Sequence, residues 1–499
     1  MIINLSEEEV PDLFNCDVCI AGGGAAGITI ARELAGTNLN VILLESGGLE
    51  RDDETSKLNE GSASGNIVHG GHYLESSRLR YFGGATNHWG GFCRPLDELD
   101  FLKKDWVPNS GWPFTKDTLE PYYRRAEEVV EIGSFAELDH KQNLWGDSLR
   151  ENQGIRAPFW QFSPPTRFGS RYKEDIEEAE NIRLLLKANL TNIRLKDNKE
   201  AVDQVQVQSL EGASTAIKPK LLILAGGGIE NPRIMLNCRD DMPDGIGNQN
   251  GIVGKYFMEH PHIDESGLIL TMETEENDDF WKAFRKQEKD EVEILRFLAL
   301  NESIQQEEKL LNFCSNITYL APIDDDNYFP KSVGDLSQQV SFRKSSRPGK
   351  PPQISMLGSM AEQMPSETNQ VSLTEERDAL GMHRVDLKSR VSSDELEIYQ
   401  RTMEIYGKAL GLNKMGRIRI DLDENTHIRG GSHHMGTTRM SDDPKRGVVD
   451  KDCKVHGLDN LYIAGSSVFP TAGCANPTLT LLALAVRLSD HVKKEMSHE

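Results

Sequence analysis

The chain has 499 residues and a formal net charge of −23, with 37% hydrophobic and 27% charged residues. This composition is that of an ordinary water-exposed globular protein, and the length predicts roughly two to four domains rather than one core. The acidic balance argues against nucleic acid or an anionic membrane surface as a partner.

The remaining global features concern the compartment. No run of about 18 apolar residues occurs, so no transmembrane helix is expected. The acidic N-terminal stretch MIINLSEEEVPDLFN has neither the basic nor the apolar region of an export signal. Seven cysteines, an odd number spread along a long chain, are more typical of a reducing compartment than of a disulfide framework. We therefore predict a cytoplasmic protein that binds no membrane, and the sequence does not indicate its oligomeric state.

The first strongly patterned stretch is a strand, a glycine turn, a helix and a second strand. Strands are predicted over residues 17–21 and 40–44, with a helix over 25–34 between them. The turn has the spacing GxGxxG, in which Gly22 permits a tight turn, Gly24 lets the backbone approach a pyrophosphate and Gly27 allows close helix packing. The free N–H groups at the start of the helix can then bind phosphates.

An acidic residue ends the second strand of this unit. Glu45 lies 18 residues after Gly27, where a carboxylate can bind the hydroxyl groups of a ribose. Such an acid favours FAD or NAD over NADP, and the motif alone does not choose between those two. The alternative is a glycine-rich helix start without a ligand, and the complete strand, turn and helix context argues against it.

A second glycine-rich loop lies in RLRYFGGATNHWGGFCRPL, residues 78–96. Asn87, His88 and Trp89 stand at its centre. The glycines on either side are Gly83, Gly84, Gly90 and Gly91. So much permissive backbone beside two bulky rings predicts a loop pressed against a flat ligand, or else a turn-rich surface loop with one buried Trp.

The rest of the chain alternates between two kinds of pattern. Strands are predicted over residues 182–195 and 202–208, and a buried strand over 220–225 leads through three glycines into a helix. From about 264 to 423 the sequence is charge-dense and alternates as antiparallel strands do, which predicts a separate domain. The C-terminal part contains a strand over 461–464, a tight turn, and an apolar helix through 486 with Pro477 at its start.

Three passages together resemble the glucose-methanol-choline (GMC) oxidoreductase family over residues 17–491. They are GGGAAG with Glu45, LLILAGGGIENPRIML, and HHMGTTRM followed by LYIAGSSVFPTAGCANPTLT. GGATNHWGG and AGCANPTLT look most like the sugar-oxidising branch that contains pyranose oxidase, and flavin dehydrogenases of aminoglycoside biosynthesis are similar. The resemblance implies an α/β fold with a Rossmann-like FAD-binding domain of the GMC and p-hydroxybenzoate-hydroxylase type. It also implies a second α+β substrate domain built on an antiparallel sheet.

The resemblance further implies that the chain passes back and forth between these two domains. The FAD-binding domain would comprise residues 1–96, 181–262 and 425–499, the last with the catalytic residues. The substrate domain would comprise residues 97–180 and 263–424.

FAD is the cofactor that the resemblance implies, and no metal is implied. The implied FAD-binding residues are Gly22, Gly24, Ala25, Ala26, Gly27, Glu45, Gly83, Gly84, Asn87, His88, Trp89, Gly90, Leu190, Ala225, Gly226, Gly465, Ser466, Ala475, Pro477 and Thr478. In the family, a histidine of the glycine-rich loop is sometimes bonded covalently to the flavin. His88 precedes Trp89 as in the pyranose-oxidase-like branch, but that branch has Ser-Thr before its histidine. A covalent bond and a noncovalent contact from His88 therefore both remain open.

The family pattern His-x-x-Gly-Thr, which carries the catalytic base, matches residues 433–437. His433 is then the implied base, His434 a secondary polar contact, and Asn476 occupies the family's second position, which is His or Asn. An imidazole with an ordinary pKa of about 6.5 suits removal of a hydroxyl proton while a hydride moves to flavin N5. The amide of Asn476 can hold the alkoxide oxygen. The implied function is FAD-dependent oxidation of an alcohol group of a sugar, glycoside, cyclitol or aminoglycoside-like molecule.

Two other functions compete with this one. A flavin-containing lyase or binding protein of the same fold would use FAD structurally. An NAD-dependent dehydrogenase would use the N-terminal motif alone and leaves AGSSVFPTAGCANPT unexplained. The sequence indicates neither the electron acceptor nor the hydroxyl that reacts.

Overall fold

A computed structural model describes residues 1–68, 71–141, 154–271, 292–319 and 353–497, together with 281, 284 and 287–289. Within these ranges the strands are β1 (Ile2–Asn4), β2 (Leu13–Ala21), β3 (Val41–Leu44), β4 (Gly61–Ser64), β5 (Phe92–Cys93), β6 (Ile155–Arg156), β7 (Phe159–Phe162), β8 (Ile182–Leu186), β9 (Asn189–Leu195), β10 (Val202–Gln208), β11 (Ser214–Leu224), β12 (Pro261–Thr271), β13 (Gln287–Lys289), β14 (Val292–Arg296), β15 (Leu298–Leu300), β16 (Phe313–Tyr319), β17 (Gln353–Ala361), β18 (Gln370–Arg377), β19 (His383–Lys388), β20 (Gly416–Ile420), β21 (Arg429–Gly430) and β22 (Leu461–Ile463).

The helices alternate with these strands along the chain. They are α1 (Ala25–Leu34), α2 (Asp53–Ser56), α3 (Tyr73–Ser76), α4 (Glu98–Phe101), α5 (Glu120–Val129), α6 (Phe135–Lys141), α7 (Phe168–Arg171), α8 (Lys173–Glu178), α9 (Gly227–Asn237), α10 (Glu302–Glu307), α11 (Ser393–Leu412) and α12 (Thr478–Met496). No helix in the described ranges has the length and apolar character needed to cross a membrane. The fold is α/β, with several sheets.

The largest sheet contains the predicted nucleotide-binding unit. Its order is β1-β8-β3-β2-β11-β10-β9, and β22 also pairs with β11. The central strands β3, β2, β11 and β22 run parallel. β3 and β22 are buried throughout, and the last four residues of β2 and of β11 are apolar and buried, as expected where helices cover both faces of a parallel sheet. Helix α1 begins and ends as predicted, and α12 packs against both α1 and α5.

A second sheet is antiparallel throughout and has the order β20-β12-β17-β16-β15-β6, with β21 paired to β12. Helix α11 packs on β20 and begins with a capping box formed by Ser392 and Glu395. Tyr406 of this helix is fully buried, and its hydroxyl donates to the carbonyl oxygens of Leu298 and Phe313. Antiparallel strands are therefore present, as predicted, in the described part of residues 264–423. The boundaries of the two domains stay a prediction.

The cysteines correct one expectation. Cys314 of β16 and Cys474 form a disulfide across 160 residues of sequence, with their Cα atoms 6.8 Å apart. The expectation that the cysteines remain unpaired is therefore wrong for this pair, because a tertiary contact between such distant residues leaves no local signal. Cys16 and Cys19 are free and buried in β2, and burial raises the pKa of Cys16 to about 12.

Candidate active site

A cavity of about 560 Å³ lies at the carboxyl ends of the parallel strands, where open α/β sheets bind ligands. Most of the residues expected to bind FAD line this cavity. They are Gly22, Gly24, Ala25, Ala26, Glu45, Gly84, His88, Trp89, Gly90, Leu190, Ala225, Gly226, Gly465, Ser466, Pro477 and Thr478. The three expected catalytic residues, His433, His434 and Asn476, line the same cavity. The other four residues expected to bind FAD, Gly27, Gly83, Asn87 and Ala475, do not line this cavity.

The first glycine turn has the shape that a diphosphate requires. Gly22 has a φ of +122°, and a Cβ there would lie 2.6 Å from the carbonyl oxygen of Ala225. A Cβ on Gly27 would lie 1.9 Å from the carbonyl oxygen of Gly22, so this glycine serves the packing of α1 on the turn. A Cβ on Gly24 would meet no atom within 4 Å. The space over Gly24 and the start of α1 therefore fit the pyrophosphate of FAD.

Glu45 lies beside this turn at the end of β3. Its carboxylate accepts hydrogen bonds from the backbone N–H groups of Gly23 at 3.0 Å and Gly47 at 2.8 Å. Burial raises the pKa of Glu45, and this effect outweighs the hydrogen bonds, which lower the pKa. Oε1 also accepts from the hydroxyl of Ser46 at 3.3 Å. Oε2 keeps a second lone pair, which can accept from a ribose hydroxyl in the cavity.

The second glycine-rich loop is fixed by its own side chains. Asn87 donates from Nδ2 to the carbonyl oxygen of Phe82 at 2.8 Å, so its amide holds the loop together. Trp89 donates from Nε1 to the carbonyl oxygen of Thr166 at 3.0 Å. The exposed ring of His88 lies edge-on to Tyr81, with the ring centroids 6.2 Å apart. The loop forms one side of the cavity, which favours the flat-ligand interpretation.

A charged cluster on the cavity wall was missed by the sequence analysis. Arg78, Arg80 and Arg233 all form ion pairs with Glu230. Burial disfavours the charge of Glu230, but the three guanidinium groups prevail and lower its pKa to about 2. Burial lowers the pKa of Arg78 to about 9. The sequence feature that could have indicated this cluster is the Arg-Leu-Arg segment just before the glycine-rich loop.

His433 and Asn476 meet on the cavity wall. Nε2 of His433 lies 3.2 Å from Nδ2 of Asn476, and Oδ1 of Asn476 accepts from Nε1 of Trp160 at 2.9 Å. The indole nitrogen can only donate, so the amide oxygen must face Trp160 and the amide N–H must face His433. Asn476 also precedes Pro477 and α12, whose N-terminal end favours negative charge.

Glu259 holds the backbone that carries His433. Its buried Oε2 accepts from the N–H groups of Gly431 at 3.1 Å and of His433 at 2.9 Å. The hydroxyl of Tyr73 donates to Oε1. Burial raises the pKa of Glu259 to about 7, although these hydrogen bonds lower it. Sequence reasoning missed this residue, although it is the acid in Met-Glu-His-Pro-His.

The adjacent His434 lies in different surroundings. Its Nε2 is 3.2 Å from the hydroxyl of Tyr73, and its ring packs at a tilt against Phe257. Its carbonyl oxygen accepts from the hydroxyl of Ser466 at 2.7 Å. Burial lowers the pKa of His434 to about 3. Of the two neighbours, His433 is thus the one in contact with Asn476.

The electrostatics of His433 suit proton abstraction. Burial lowers the pKa of His433 well below 6.5, and the nearby rings of His260 and His262 contribute to the same shift. The imidazole is therefore neutral at pH 7 and carries one nitrogen lone pair. A neutral imidazole on a cavity wall can take a proton from a hydroxyl group.

Comparison with known proteins gives two family matches. Residues 17–239 match the family of FAD dependent oxidoreductases, and residues 365–485 match GMC oxidoreductase. The chain is 22% identical to 2-methyl-1,2-propanediol dehydrogenase of Mycolicibacterium austroafricanum, over 96% of each chain. It is 23% identical to 6'''-hydroxyparomomycin C oxidase of Streptomyces lividus, over 96% of this chain and 92% of that one. The structure of a formate oxidase superimposes with a TM-score of 0.58 at 16% identity, covering 98% of this chain and all (100%) of the other.

Proposed function

We propose that this chain, which matches FAD dependent oxidoreductases over residues 17–239 and GMC oxidoreductase over residues 365–485, is an FAD-dependent oxidoreductase of the GMC family. It oxidises an alcohol group of a sugar, glycoside, cyclitol or aminoglycoside-like molecule. The observation that carries the proposal is the contact between His433 and Asn476 on the cavity wall. Relatives along nearly the whole chain are named for a diol and for an aminoglycoside, which supports a substrate with several hydroxyl groups.

We propose that His433 is the general base. Its Nε2 lies beside the amide of Asn476, and both residues line the cavity. A neutral imidazole there takes the hydroxyl proton as the C–H bond breaks. Bound FAD supplies the acceptor for the hydride. A positioned base contributes about 10² to 10⁴ in rate.

Asn476 has the complementary role in this proposal. Because Trp160 holds its oxygen, its N–H points towards Nε2 of His433 and can donate to the alkoxide oxygen as charge develops there. The start of α12 adds the favourable end of a helix dipole. His434, held by Tyr73, has the secondary role of a polar contact.

The residues around the cavity would hold FAD in three regions. The pyrophosphate would lie over the turn at Gly24, and a ribose against Glu45. The wall near Leu190 and Ala225 would face the adenine side. Gly465, Ser466 and residues 475–478 would face the ribityl and pyrimidine end. Arg78 and Arg80 would add positive charge beside the diphosphate.

Anaerobic titration of the purified flavoprotein tests this function. Sugars, cyclitols and aminoglycosides are added in turn while the oxidised flavin absorbance is followed, and air is then admitted. We expect bleaching by at least one polyhydroxylated substrate and none by its analogue that lacks the reacting hydroxyl. A protein in which FAD is structural would show no bleaching with any of them. Recovery of colour in air would identify an oxidase.

Other predictions accompany this proposal. We propose that the chain divides at residues 96, 180, 262 and 424 into alternating parts of two domains. A cytoplasmic location also stays a prediction. Cys16, Cys19, Cys93, Cys238 and Cys453 are free thiols, whereas the disulfide between Cys314 and Cys474 is more typical of an oxidising compartment. The acidic composition supports the absence of a nucleic-acid or membrane partner.

A further inference from the structure

His260 lies directly behind His433, on the side away from the substrate cavity. It is fully buried, and its Nδ1 is 2.9 Å from Nδ1 of His433. On its other side, Nε2 lies 3.1 Å from the carbonyl oxygen of Gly473 and 3.4 Å from that of Ala472. Each nitrogen of this ring therefore has a defined partner.

The proton positions follow from these partners. Burial lowers the pKa of His260 to about 4, and the pKa of His433 lies well below 6.5, so each ring carries one proton at pH 7. Carbonyl oxygens can only accept, which places the proton of His260 on Nε2. Its Nδ1 is then an acceptor, and the contact with His433 is a hydrogen bond only if Nδ1 of His433 carries the proton.

The contacts on the opposite side of His433 independently indicate the same tautomer. The indole N–H of Trp160 fixes the oxygen of Asn476, so the amide N–H of Asn476 faces Nε2 of His433. That nitrogen must accept, and it therefore carries no proton. Two sets of contacts, one on each side of the ring, specify a single tautomer.

We propose that His260 is a positioning residue that fixes His433 in the tautomer with its proton on Nδ1. The lone pair of Nε2 then lies on the side of Asn476, where a substrate hydroxyl can replace the amide N–H as its hydrogen-bond donor. This lone pair matters for catalysis only if His433 is the base, as proposed above. The hydrogen-bond arrangement itself does not depend on that proposed role. His260 is a neutral acceptor, so it orients the base without adding the negative charge that a carboxylate would place there.

The backbone around His260 is built to keep this arrangement. Glu259 accepts from the backbone N–H groups of both His260 and His433 through the same carboxylate oxygen, which holds the two histidines in a fixed relationship. The N–H of Gly473 donates to Oε1 of Glu362 at 3.3 Å. Gly473 lies in the same loop as Asn476. A chain of hydrogen bonds therefore leads from the amide of Asn476 through the imidazoles of His433 and His260 and back to the loop that contains Asn476.

Nitrogen NMR of the FAD-bound protein with ¹⁵N-labelled histidine tests the proposal directly. In the wild type we expect the His433 signals of a ring protonated at Nδ1, the His260 signals of a ring protonated at Nε2, and a coupling between the two Nδ1 atoms. Assignment uses the loss of each signal pair in His433→Ala and His260→Asn. A wild-type His433 protonated at Nε2 would overturn the proposal. The absence of a coupling between two Nδ1 atoms in the wild type would also overturn it, and that observation needs no variant.

Two substitutions separate positioning from packing. His260→Leu removes the acceptor and leaves only the amide of Asn476 to favour this tautomer, so the share of His433 protonated on Nδ1 should fall, and flavin reduction should slow by roughly 10². His260→Asn returns an oxygen near the position of Nδ1 and should restore the Nδ1–H signature and most of the rate. His262→Leu is the matched control, because the ring centroids of His262 and His433 are 5.9 Å apart and the structure shows no hydrogen bond between the two rings. It should leave the tautomer signature intact.

The outcomes distinguish this inference from the proposed function. An unchanged His433 tautomer in His260→Leu would overturn the inference, as would loss of the signature in His262→Leu but not in His260→Leu. If the expected tautomers are found while His433→Ala reduces flavin at the wild-type rate, the arrangement stands and the role of His433 as the base fails.

Discussion

Nδ2 of Asn476 lies 3.2 Å from Nε2 of His433, although 43 residues separate them in the chain. The two residues reach the cavity on different segments, His433 after β21 and Asn476 immediately before α12. Each is fixed from behind, Asn476 by Trp160 and His433 by His260. A hydroxyl group that enters between them would find an acceptor and a donor already aimed at it.

Replacing the amide of Asn476 tests this arrangement. In Asn476→Asp a carboxylate replaces the donor, draws a proton onto Nε2 of His433 and so blocks the base. We expect flavin reduction to slow by about 10² to 10³. Asn476→His keeps a donor and should retain more of the rate. Stopped-flow absorbance measures both, and equal losses in the two variants would contradict the role of the donor.

The glycine turn can be tested with three substitutions that differ in their surroundings. Gly24→Leu would place a side chain in open space towards the cavity, so we expect a folded protein that has lost FAD. Gly27→Ala would force a Cβ to 1.9 Å from the oxygen of Gly22, so we expect loss of stability as well.

Gly411→Leu is the control, because Gly411 also has open space around its Cβ position but lies in α11. It should keep both fold and flavin. Flavin content is read from absorbance after desalting, and stability from thermal unfolding. Normal flavin content in Gly24→Leu would refute the assigned position of the pyrophosphate.

The pH dependence of flavin reduction has a defined sign. The base must be unprotonated, and burial together with nearby histidines holds the pKa of His433 well below 6.5. The rate should therefore rise with pH along a limb whose midpoint lies below 6.5, and this limb should be absent in His433→Ala. Anaerobic single-turnover measurements from acid to neutral pH provide the test. A limb centred above 6.5 that depends on His433 would contradict the predicted neutral imidazole.

The link between His88 and the flavin can be decided by acid precipitation. His88 lies on the cavity wall, which is compatible with a covalent bond and with a noncovalent contact. Colour that stays with the pellet indicates a bond, and a denatured mass equal to the bare polypeptide excludes one. In either case we expect His88→Ala to bind FAD noncovalently, so all of its colour should enter the supernatant. Colour retained in the His88→Ala pellet would show that His88 is not the attachment point.

The sequence predicts the nucleotide-binding unit well because its signals are local. The turn at Gly22, Gly24 and Gly27, the bounds of α1 and the acid at Glu45 all fall within one short stretch. Helix α12 is longer than expected and runs to Met496, because Leu488 and Val492 continue its buried face beyond residue 486.

The partners of the site residues could not be predicted in this way. Trp160 reaches Asn476 across 316 residues, and Glu259 reaches His433 across 174. Such pairs depend on how the sheets pack together. The motif at residues 433–437 could indicate a candidate base, but the choice between His433 and His434 depends on which ring the fold turns towards Asn476.

The rate of anaerobic flavin reduction in His433→Ala, compared with His434→Ala, tests the central claim most directly. Both variants are loaded with FAD and mixed with the substrate that bleaches the wild-type flavin fastest. We predict that His433→Ala retains its FAD and slows reduction by about 10² to 10⁴, with a smaller loss in His434→Ala. A larger loss in His434→Ala, or a His433→Ala protein that is reduced at the wild-type rate, would contradict the account.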